Sequence, residues 1–207
     1  VAAERGVVSV VEALLATAAE QSDRGQENMN EGNASPTSKH LQGAVKLVTT
    51  KTNDGRTALH VASRHGNVAP ASVLLAMAPG TLNSLDDDDA TPLHKACWHG
   101  DRNGTRVAKL LLQAGASLNI RTKADHADVL HVAASINAVD TVTALLNHAS
   151  ALRVTATLLN RRTKGGLTPL ACAARAGAVQ CFELLLKFGA DPFVPDNREN
   201  TCAHHAC

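Results

Sequence analysis

The stretch Thr91-Pro92-Leu93-His94-Lys95-Ala96 decides the fold, because similar stretches occur four more times along the chain. All of them begin with a polar residue that can cap a helix and end with Ala; the other copies are residues 57–62 (TALHVA), 128–133 (DVLHVA), 168–173 (TPLACA) and 201–206 (TCAHHA). Successive copies begin 34, 37, 40 and 33 residues apart. This near-regular spacing indicates one supersecondary unit that is repeated along the chain.

Each unit contains the signals for two short helices. Thr caps the first helix, and Pro at the next position costs nothing because the N–H there has no partner within the helix. Nine residues after the first four copies begin stand Gly66, Gly100, Asn137 and Gly177, residue types that end a helix in a left-handed conformation. A Leu pair such as Leu111-Leu112 marks a second helix. Because one unit cannot bury both helices, the units must stack, and the sequence predicts an all-α solenoid.

The composition favours the same fold and excludes several functions. The 207 residues are 44% apolar but only 2% aromatic, so a core must be built from Ala, Leu and Val, which favours closely packed helices. The formal net charge is +1, which argues against binding of nucleic acid. No apolar run reaches the roughly 18 residues of a membrane span, so we expect no membrane insertion. The five Cys lack paired spacing, which favours reduced thiols in a cytoplasmic or otherwise intracellular protein.

The five copies resemble the ankyrin-repeat family, whose unit of about 33 residues carries a Thr-Pro-Leu-His-x-Ala motif. The resemblance implies a helix-turn-helix solenoid with short finger turns between repeats, over the whole of residues 1–207. We divide this domain into a partial repeat, a flexible polar insertion, four repeats and an incomplete terminal repeat: residues 1–20, 21–43, 44–83, 84–119, 120–160, 161–193 and 194–207. Since the first residue is not Met, we expect a longer protein that continues past one or both ends.

Three departures from the repeat pattern carry their own expectations. Residues 102–105 are expected to lengthen the turn between the two helices of the Thr91 unit. Residues 150–157 are expected to lengthen the connection after the Asp128 unit. In that unit His126 replaces the Gly that the family has before the helix cap, which leaves the geometry of the turn open.

The candidate chemical groups all have a structural interpretation. The resemblance implies that the His of the motif supports the turns by hydrogen bonding to backbone; the residues at this position are His60, His94, His131 and His204. Cys202, His204, His205 and Cys207 would point in different directions from a helix, so we predict no metal there. Residues 86–89 are all Asp but lack the spaced ligands of a calcium loop, and we interpret them as a solvated acidic turn. No catalytic motif is present, and we predict neither enzymatic activity nor a cofactor.

The resemblance also implies where a partner would bind. In the family, the finger turns and first helices line a concave surface, and its variable contact positions precede each Thr and each helix-ending Gly. The matching turn residues are Asn53, Asp54, Arg56, Asp87, Asp88, Ala124, Asp125, Lys164, Asn197 and Arg198. The matching helix residues are Arg64, His65, Trp98, His99, Ser135, Ile136 and Arg175.

Trp98 is the first candidate among these residues, because it is the only Trp and because Trp and Arg are enriched in binding hot spots. The alternative is that Trp98 folds back over its neighbours and covers core. Arg64 lies one unit earlier on the same surface, where it could stack on the ring. The finger charges are uneven, with residues 86–89 negative and residues 121–123 and 161–164 positive. These charges either hold a mixed-charge partner in register or belong to ordinary solvated turns.

The sequence therefore predicts a module that binds a partner protein or peptide without catalysis, and not nucleic acid, a membrane or a small-molecule substrate. The alternative is a targeting or regulatory ankyrin segment of a larger multidomain enzyme. A third interpretation is that the module is a substrate of asparaginyl hydroxylation, since three Leu-to-Asn spacings resemble those of hydroxylated ankyrin units. They end at Asn83, Asn119 and Asn160, and none of them has the Asp that favours the reaction.

Overall fold

The structure, a computed structural model, describes residues 45–206. Within these residues the regular structure is helical and contains no strand. Residues 45–49 are helical and are followed by α1 (Ala58–Arg64), α2 (Val68–Met77), a 3-10 helix (Pro79–Thr81), α3 (Pro92–His99), α4 (Arg102–Gln113), α5 (Val129–Ser135), α6 (Val139–Ala151), α7 (Thr155–Leu159), α8 (Pro169–Arg175), α9 (Val179–Lys187) and α10 (Cys202–His205). The predicted partial repeat and the whole of the polar insertion, like Cys207, lie outside the described residues.

The first helix of each unit begins at the residue that the motif predicts. Thr91 has an extended backbone, and its hydroxyl accepts a hydrogen bond from the backbone N of His94 at 3.4 Å. Thr168 accepts in the same way from Ala171 at 3.2 Å. In the Asp128 unit a carboxylate replaces the hydroxyl, and Oδ1 accepts from the backbone N of Leu130 at 3.0 Å and of His131 at 3.2 Å. Each cap satisfies N–H groups that the helix itself leaves free.

The helix pairs stack into a solenoid, as predicted. The first helices α1, α3, α5, α8 and α10 contact one another in that order, and the second helices α2, α4, α6 and α9 pack against them and against each other. The Leu of the motif is fully buried in four successive first helices, at Leu59, Leu93, Leu130 and Leu170. The Ala three positions later is also buried in each unit, which allows the helices to approach closely.

The residues that end the first helices have the predicted left-handed backbone. Their φ values are +66° at Gly66, +70° at Gly100, +57° at Asn137 and +66° at Gly177. Gly66 is also needed for space, since a Cβ there would lie 2.8 Å from Cβ of Asn103. Asn137 tolerates this conformation, and its side-chain oxygen accepts a hydrogen bond from the backbone N of Cys181 at 3.1 Å in the next unit.

The structure corrects one of the two expectations about the longer units. Residues 102–105 do not lengthen the turn between helices; they form the first turn of α4, because the Asp101 carboxylate caps the backbone N of Asn103 at 2.7 Å and of Gly104 at 2.8 Å. Residues 150–157 lengthen the connection after the Asp128 unit, as expected, and they are partly helical. α6 continues to Ala151, and α7 begins at Thr155.

The finger turn at His126 is one residue longer than the other fingers, because the N of Thr122 donates to the carbonyl of Ala127, five residues later, whereas the same bond spans four residues elsewhere. The φ of His126 is +54°, and its backbone N donates to the carbonyl of Thr122 at 3.0 Å. In the finger of residues 52–56 the φ of Gly55 is +70°, and its backbone N donates to the carbonyl of Thr52, only three residues earlier, at 2.9 Å. His126 therefore keeps the left-handed backbone at a modest energetic cost, but in a turn that is longer by one residue.

Candidate partner-binding surface

Two of the repeated His residues, His60 and His131, support the connections between repeats as predicted, whereas the buried Nε2 of His94 has no hydrogen-bond partner among the described residues. Nδ1 of His60 accepts a hydrogen bond from the backbone N of Thr57 at 3.1 Å, and its Nε2 lies 3.0 Å from the carbonyl of Ala90 in the next repeat. His131 reaches the carbonyl of Leu167 in the same way, at 3.1 Å. Burial lowers the pKa of His60, and it lowers the pKa of His94 to about 4. The rings of His60 and His94 are therefore neutral near pH 7.

The groups considered for metal binding or nucleophilic chemistry do not converge in the described part of the chain. Among residues 45–206 no three His, Cys, Asp or Glu side chains are placed to hold one metal ion. His205 instead pairs with Asp196, with Nε2 3.0 Å from Oδ2. Burial raises the pKa of the thiols of Cys172 and Cys181 to about 11, which disfavours the reactive thiolate.

Asp86 is not part of a solvated acidic turn, and this part of the prediction was wrong. The residue is only 5% exposed, and its Oδ1 accepts hydrogen bonds from the backbone N of Asp88 at 3.1 Å and of Ala90 at 2.9 Å. Oδ2 lies 2.6 Å from Nζ of Lys95, which is also buried. Burial acts to raise the pKa of the Asp86 carboxyl, but the hydrogen bonds from Lys95 and Ala90 outweigh it, so the pKa lies below its ordinary value.

Trp98 is 43% exposed, so the ring both covers neighbouring side chains and faces solvent. The cation over the ring is Lys95, whose Nζ lies 4.6 Å from the ring centroid. Lys95, and not the predicted Arg64, therefore makes the cation–π contact. Asp86, Lys95 and Trp98 form a connected series in which a buried ion pair supports the exposed ring.

Sequence reasoning missed Lys95, although a signal for it was present. Lys95 stands three positions before Trp98 in the same helix, and residues at that spacing lie next to each other on a helix surface. The position belongs to the motif itself, where Val, Cys or His occurs in the other units, and this favoured a packing interpretation over a functional one. The structure shows why a buried charge is tolerated at Lys95: the carboxylate of Asp86, on the finger, pairs with it.

Two hollows lie on either side of Trp98. The cationic hollow has a volume of about 420 Å³ and is lined by Arg56, Arg64, Asp88, Lys95, Trp98 and His99. The acidic hollow has a volume of about 410 Å³ and is lined by Asp88, Trp98, Asp125, Ser135 and Arg175, with Ala124 and several buried residues of α5 and α8. Together they bring nine of the sequence-predicted contact residues onto one surface. The other predicted residues line neither hollow and are exposed: Asn53, Asp54, His65, Asp87, Ile136, Lys164, Asn197 and Arg198.

Backbone hydrogen bonds connect the tips of successive fingers. The N of Asp87 donates to the carbonyl of Asp54 at 3.2 Å, and the N of Lys123 donates to the carbonyl of Asp88 at 2.8 Å. The N of Lys164 donates to the carbonyl of Asp125 at 2.7 Å. Asp54, Asp88 and Asp125 thus occupy equivalent positions on three fingers, and all three are exposed. A row of carboxylates follows one edge of the surface.

Part of the predicted positive charge on the fingers is used within the solenoid. Arg161 donates to the carbonyl of Leu118 at 2.6 Å, contacts Asn119 and lies 3.4 Å from Oδ2 of Asp128. Arg162 donates to the carbonyl of Pro195 at 2.7 Å. Arg161 is thus partly paired with Asp128, whereas Arg162 stays exposed and bonds neutral carbonyls; both residues connect neighbouring repeats.

The comparisons with known proteins agree with this architecture. The family model described as "Ankyrin repeats (3 copies)" matches residues 1–122 and 102–196, and the chain therefore belongs to the ankyrin-repeat family. Repeats of this family are generally protein–protein interaction modules. Human "Transient receptor potential cation channel subfamily A member 1" is 36% identical over 174 residues, which cover 84% of this chain and 12% of the channel sequence. In residues 45–206 no helix is both long and apolar enough to span a membrane.

Proposed function

We propose that this protein binds a partner protein through the concave surface of its fingers and first helices, and that it carries out no catalysis of its own. The observation that supports this proposal is the half-exposed Trp98 between two hollows lined by charged side chains from successive repeats. Such a surface fits a binding hot spot, in which a large rigid side chain is surrounded by polar residues.

The support beneath Trp98 favours binding over a purely structural role. Lys95 is nearly fully buried, with its ammonium group held between Asp86 and the ring. A side chain that is positioned before binding loses little conformational entropy when a partner arrives. The exposed part of the ring therefore offers apolar area at a low entropic cost.

The contact residues that we propose are fourteen of the seventeen predicted from the sequence. They are Trp98, Arg64, His65, His99, Asn53, Asp54, Arg56, Asp87, Asp88, Asp125, Ser135, Ile136, Lys164 and Arg175. The repeat boundaries given above likewise stay a prediction. We further propose an intracellular, reducing location, and the free buried thiols of Cys97, Cys172, Cys181 and Cys202 support it.

A second candidate is that the chain is a targeting or regulatory segment of a larger protein. The observation that favours it is the similarity to a cation channel of which the matched region is only 12%. This differs from the larger enzyme considered from the sequence, because the relative is named as a channel. Both candidates use the same binding surface, and the length of the encoded open reading frame distinguishes them.

The experiment is affinity purification from cell extract, compared between the parent chain and the double variant Trp98→Ala/Arg64→Ala. Partners that use the concave surface are expected to be lost, because removal of a hot-spot Trp weakens binding by about 2 kcal/mol or more. Leu152→Ala is the matched control, since Leu152 is 56% exposed and lines neither hollow. Partners retained by the double variant but lost by the control would contradict the proposal.

A further inference from the structure

The surface around Trp98 has opposite charge on its two sides. Asp88 and Trp98 line both hollows, so the hollows are adjacent and one ligand could occupy both. The cationic hollow adds two arginines and Lys95 to the shared Asp88. The acidic hollow adds Asp125 and a single arginine, Arg175. The sign of the charge therefore changes across the ring of Trp98.

The charges that a partner could use are the exposed ones. The charge of Lys95 is balanced by Asp86 at 2.6 Å. Arg56 lies 3.3 Å from Asp54 and 3.9 Å from the buried carboxylate of Asp86, so its charge is also largely balanced. Arg64 is exposed at the end of α1. Arg64 and Asp125 are therefore the groups on which we base the charge pattern.

We propose that the bound segment of the partner is an extended peptide with an apolar side chain flanked on one side by an acidic residue and on the other by a basic residue. This inference rests on the function proposed above. The apolar side chain lies against Trp98, the carboxylate lies in the cationic hollow near Arg64, and the basic side chain lies in the acidic hollow between Asp88 and Asp125. Complementary charges of this kind determine register and selectivity.

An extended peptide fits these features better than other ligands. A small anion or cation would use the charge of only one hollow. A nucleic acid would place its phosphates against the row of carboxylates at Asp54, Asp88 and Asp125, where repulsion opposes binding. A peptide chain advances by about 3.3 Å per residue when extended, so a few residues carry one side chain into each hollow and one onto the ring between them.

Trp98 supplies a direct measurement, because it is the only Trp and the chain contains no Tyr. A displayed library of random-sequence peptides is selected on the chain, and recovered peptides are synthesised and titrated while the Trp emission is followed. Each is compared with a peptide of the same composition in which both charged residues stand on one side of the apolar residue. We expect the opposite-side peptide to bind about ten-fold tighter or more.

Charge-reversal variants assign each charge to its hollow. Arg64→Glu is expected to weaken the opposite-side peptide about ten-fold or more, and replacing the acidic residue of that peptide by Lys should restore binding. Asp125→Lys should likewise weaken the opposite-side peptide, and replacing the basic residue of that peptide by Glu should restore binding. Arg106→Glu and Glu183→Lys are the matched controls, because both residues are exposed on second helices and line neither hollow, and both should leave affinity unchanged.

The outcomes separate this inference from the proposed function. The charge pattern is overturned if peptides change the Trp98 emission but bind with equal affinity in both charge arrangements. It is also overturned if the exchanged charges do not restore binding. Either result leaves the proposed concave binding surface intact. If no recovered peptide changes that emission, and Trp98→Ala also leaves the partners from cell extract bound, both the inference and the proposed function fail.

Discussion

The Thr91 unit and the Asp128 unit place a buried charge in different positions. In the Thr91 unit the start of the first helix is neutral, and the buried ion pair of Asp86 and Lys95 lies beneath the exposed ring of Trp98. In the Asp128 unit the carboxylate itself begins the helix, and Arg161 from the following connection lies 3.4 Å from it. The first arrangement supports a surface, whereas the second connects repeats inside the stack.

The difference shows how one motif position serves two purposes. The Thr91 hydroxyl needs only partners within its own helix start. The neighbouring residues of the Thr91 unit therefore do not have to balance a buried charge at that position, and the unit can carry a binding residue. Asp128 is fully buried, and a buried carboxylate needs more partners than the helix start provides. Both ring nitrogens of His131 face oxygen atoms, at 2.8 Å from Asp128 and 3.1 Å from Leu167. The Asp128 unit is thereby tied to its neighbour.

The largest expected effect comes from Asp128→Ala. The change removes a helix cap and leaves Arg161 and His131 without their carboxylate, so we expect the free energy of unfolding to fall by about 4 kcal/mol. Thr91→Ala removes only a cap and should cost about 1 kcal/mol. Urea denaturation followed by circular dichroism measures both values. Equal losses for the two variants would remove the distinction between the units, and Asp128→Thr, which restores the cap alone, should lie between them.

The next effect comes from Lys95→Met, which keeps the length of the side chain but removes its charge. Asp86 would stay buried without its ammonium partner, and we expect the free energy of unfolding to fall by about 3 kcal/mol. The emission of Trp98 should also change, because the cation over the ring is lost. Lys109→Met is the control, since Lys109 is exposed on α4. An unchanged stability together with an unchanged emission would show that the ion pair does not support the ring.

The smallest effect concerns pH and His94. Its pKa is lowered from 6.5 to about 4, so the unfolded chain binds the proton more readily and stability is lost as the pH falls from about 6.5 towards about 4. Between about pH 7 and about pH 5 this one group should lower the free energy of unfolding by about 2 kcal/mol. His94→Gln should reduce the pH dependence by that amount in denaturation curves at the two values. A variant with the same pH dependence as the parent would contradict this assignment.

Protonation of Asp86 and Asp128 should cause a separate loss of folding stability at lower pH. Both carboxyls have a pKa below the ordinary value in the folded chain, despite the opposing effect of burial. Their contribution is present above the unfolded pKa of about 3.9 and is lost as the pH falls through the folded values. The two losses therefore occupy different pH ranges, and the His94→Gln variant should alter only the one at higher pH.

The repeat motif was sufficient to predict the helices and their order, because its information is local. A Thr followed by Pro predicts where α3 begins, and Gly100 predicts where it ends, and both positions agree with the structure. The longer units were harder to predict. Residues 102–105 were expected in a turn, but the Asp101 cap makes them the first turn of α4. An Asp side chain can hydrogen-bond to nearby backbone N–H groups in a turn as well as at a helix start, so the sequence alone did not distinguish the two.

The surface was predictable in outline but not in its contacts. The periodic position of Trp98 indicated an outward side chain, and the ring is indeed half-exposed. Its cation was predicted to come from Arg64 in the neighbouring unit, whereas Lys95 in the same helix provides it. Lys95 lies over the ring because its ammonium group pairs with Asp86. In the sequence, Asp86 appeared only as one member of an acidic run.

The amino-acid sequence by itself determined that short helices would form in pairs and stack, since capping, helix-ending residues and Ala–Leu packing act over a few residues and recur at a fixed interval. The tertiary structure alone decided which charges are buried and which are free. Asp86 and Asp89 belong to one acidic run, yet only Asp86 meets an ammonium group, that of Lys95 in the first helix of the same repeat. Electrostatic partners depend on distance in space, and only folding of the finger against the helix brings these two groups together.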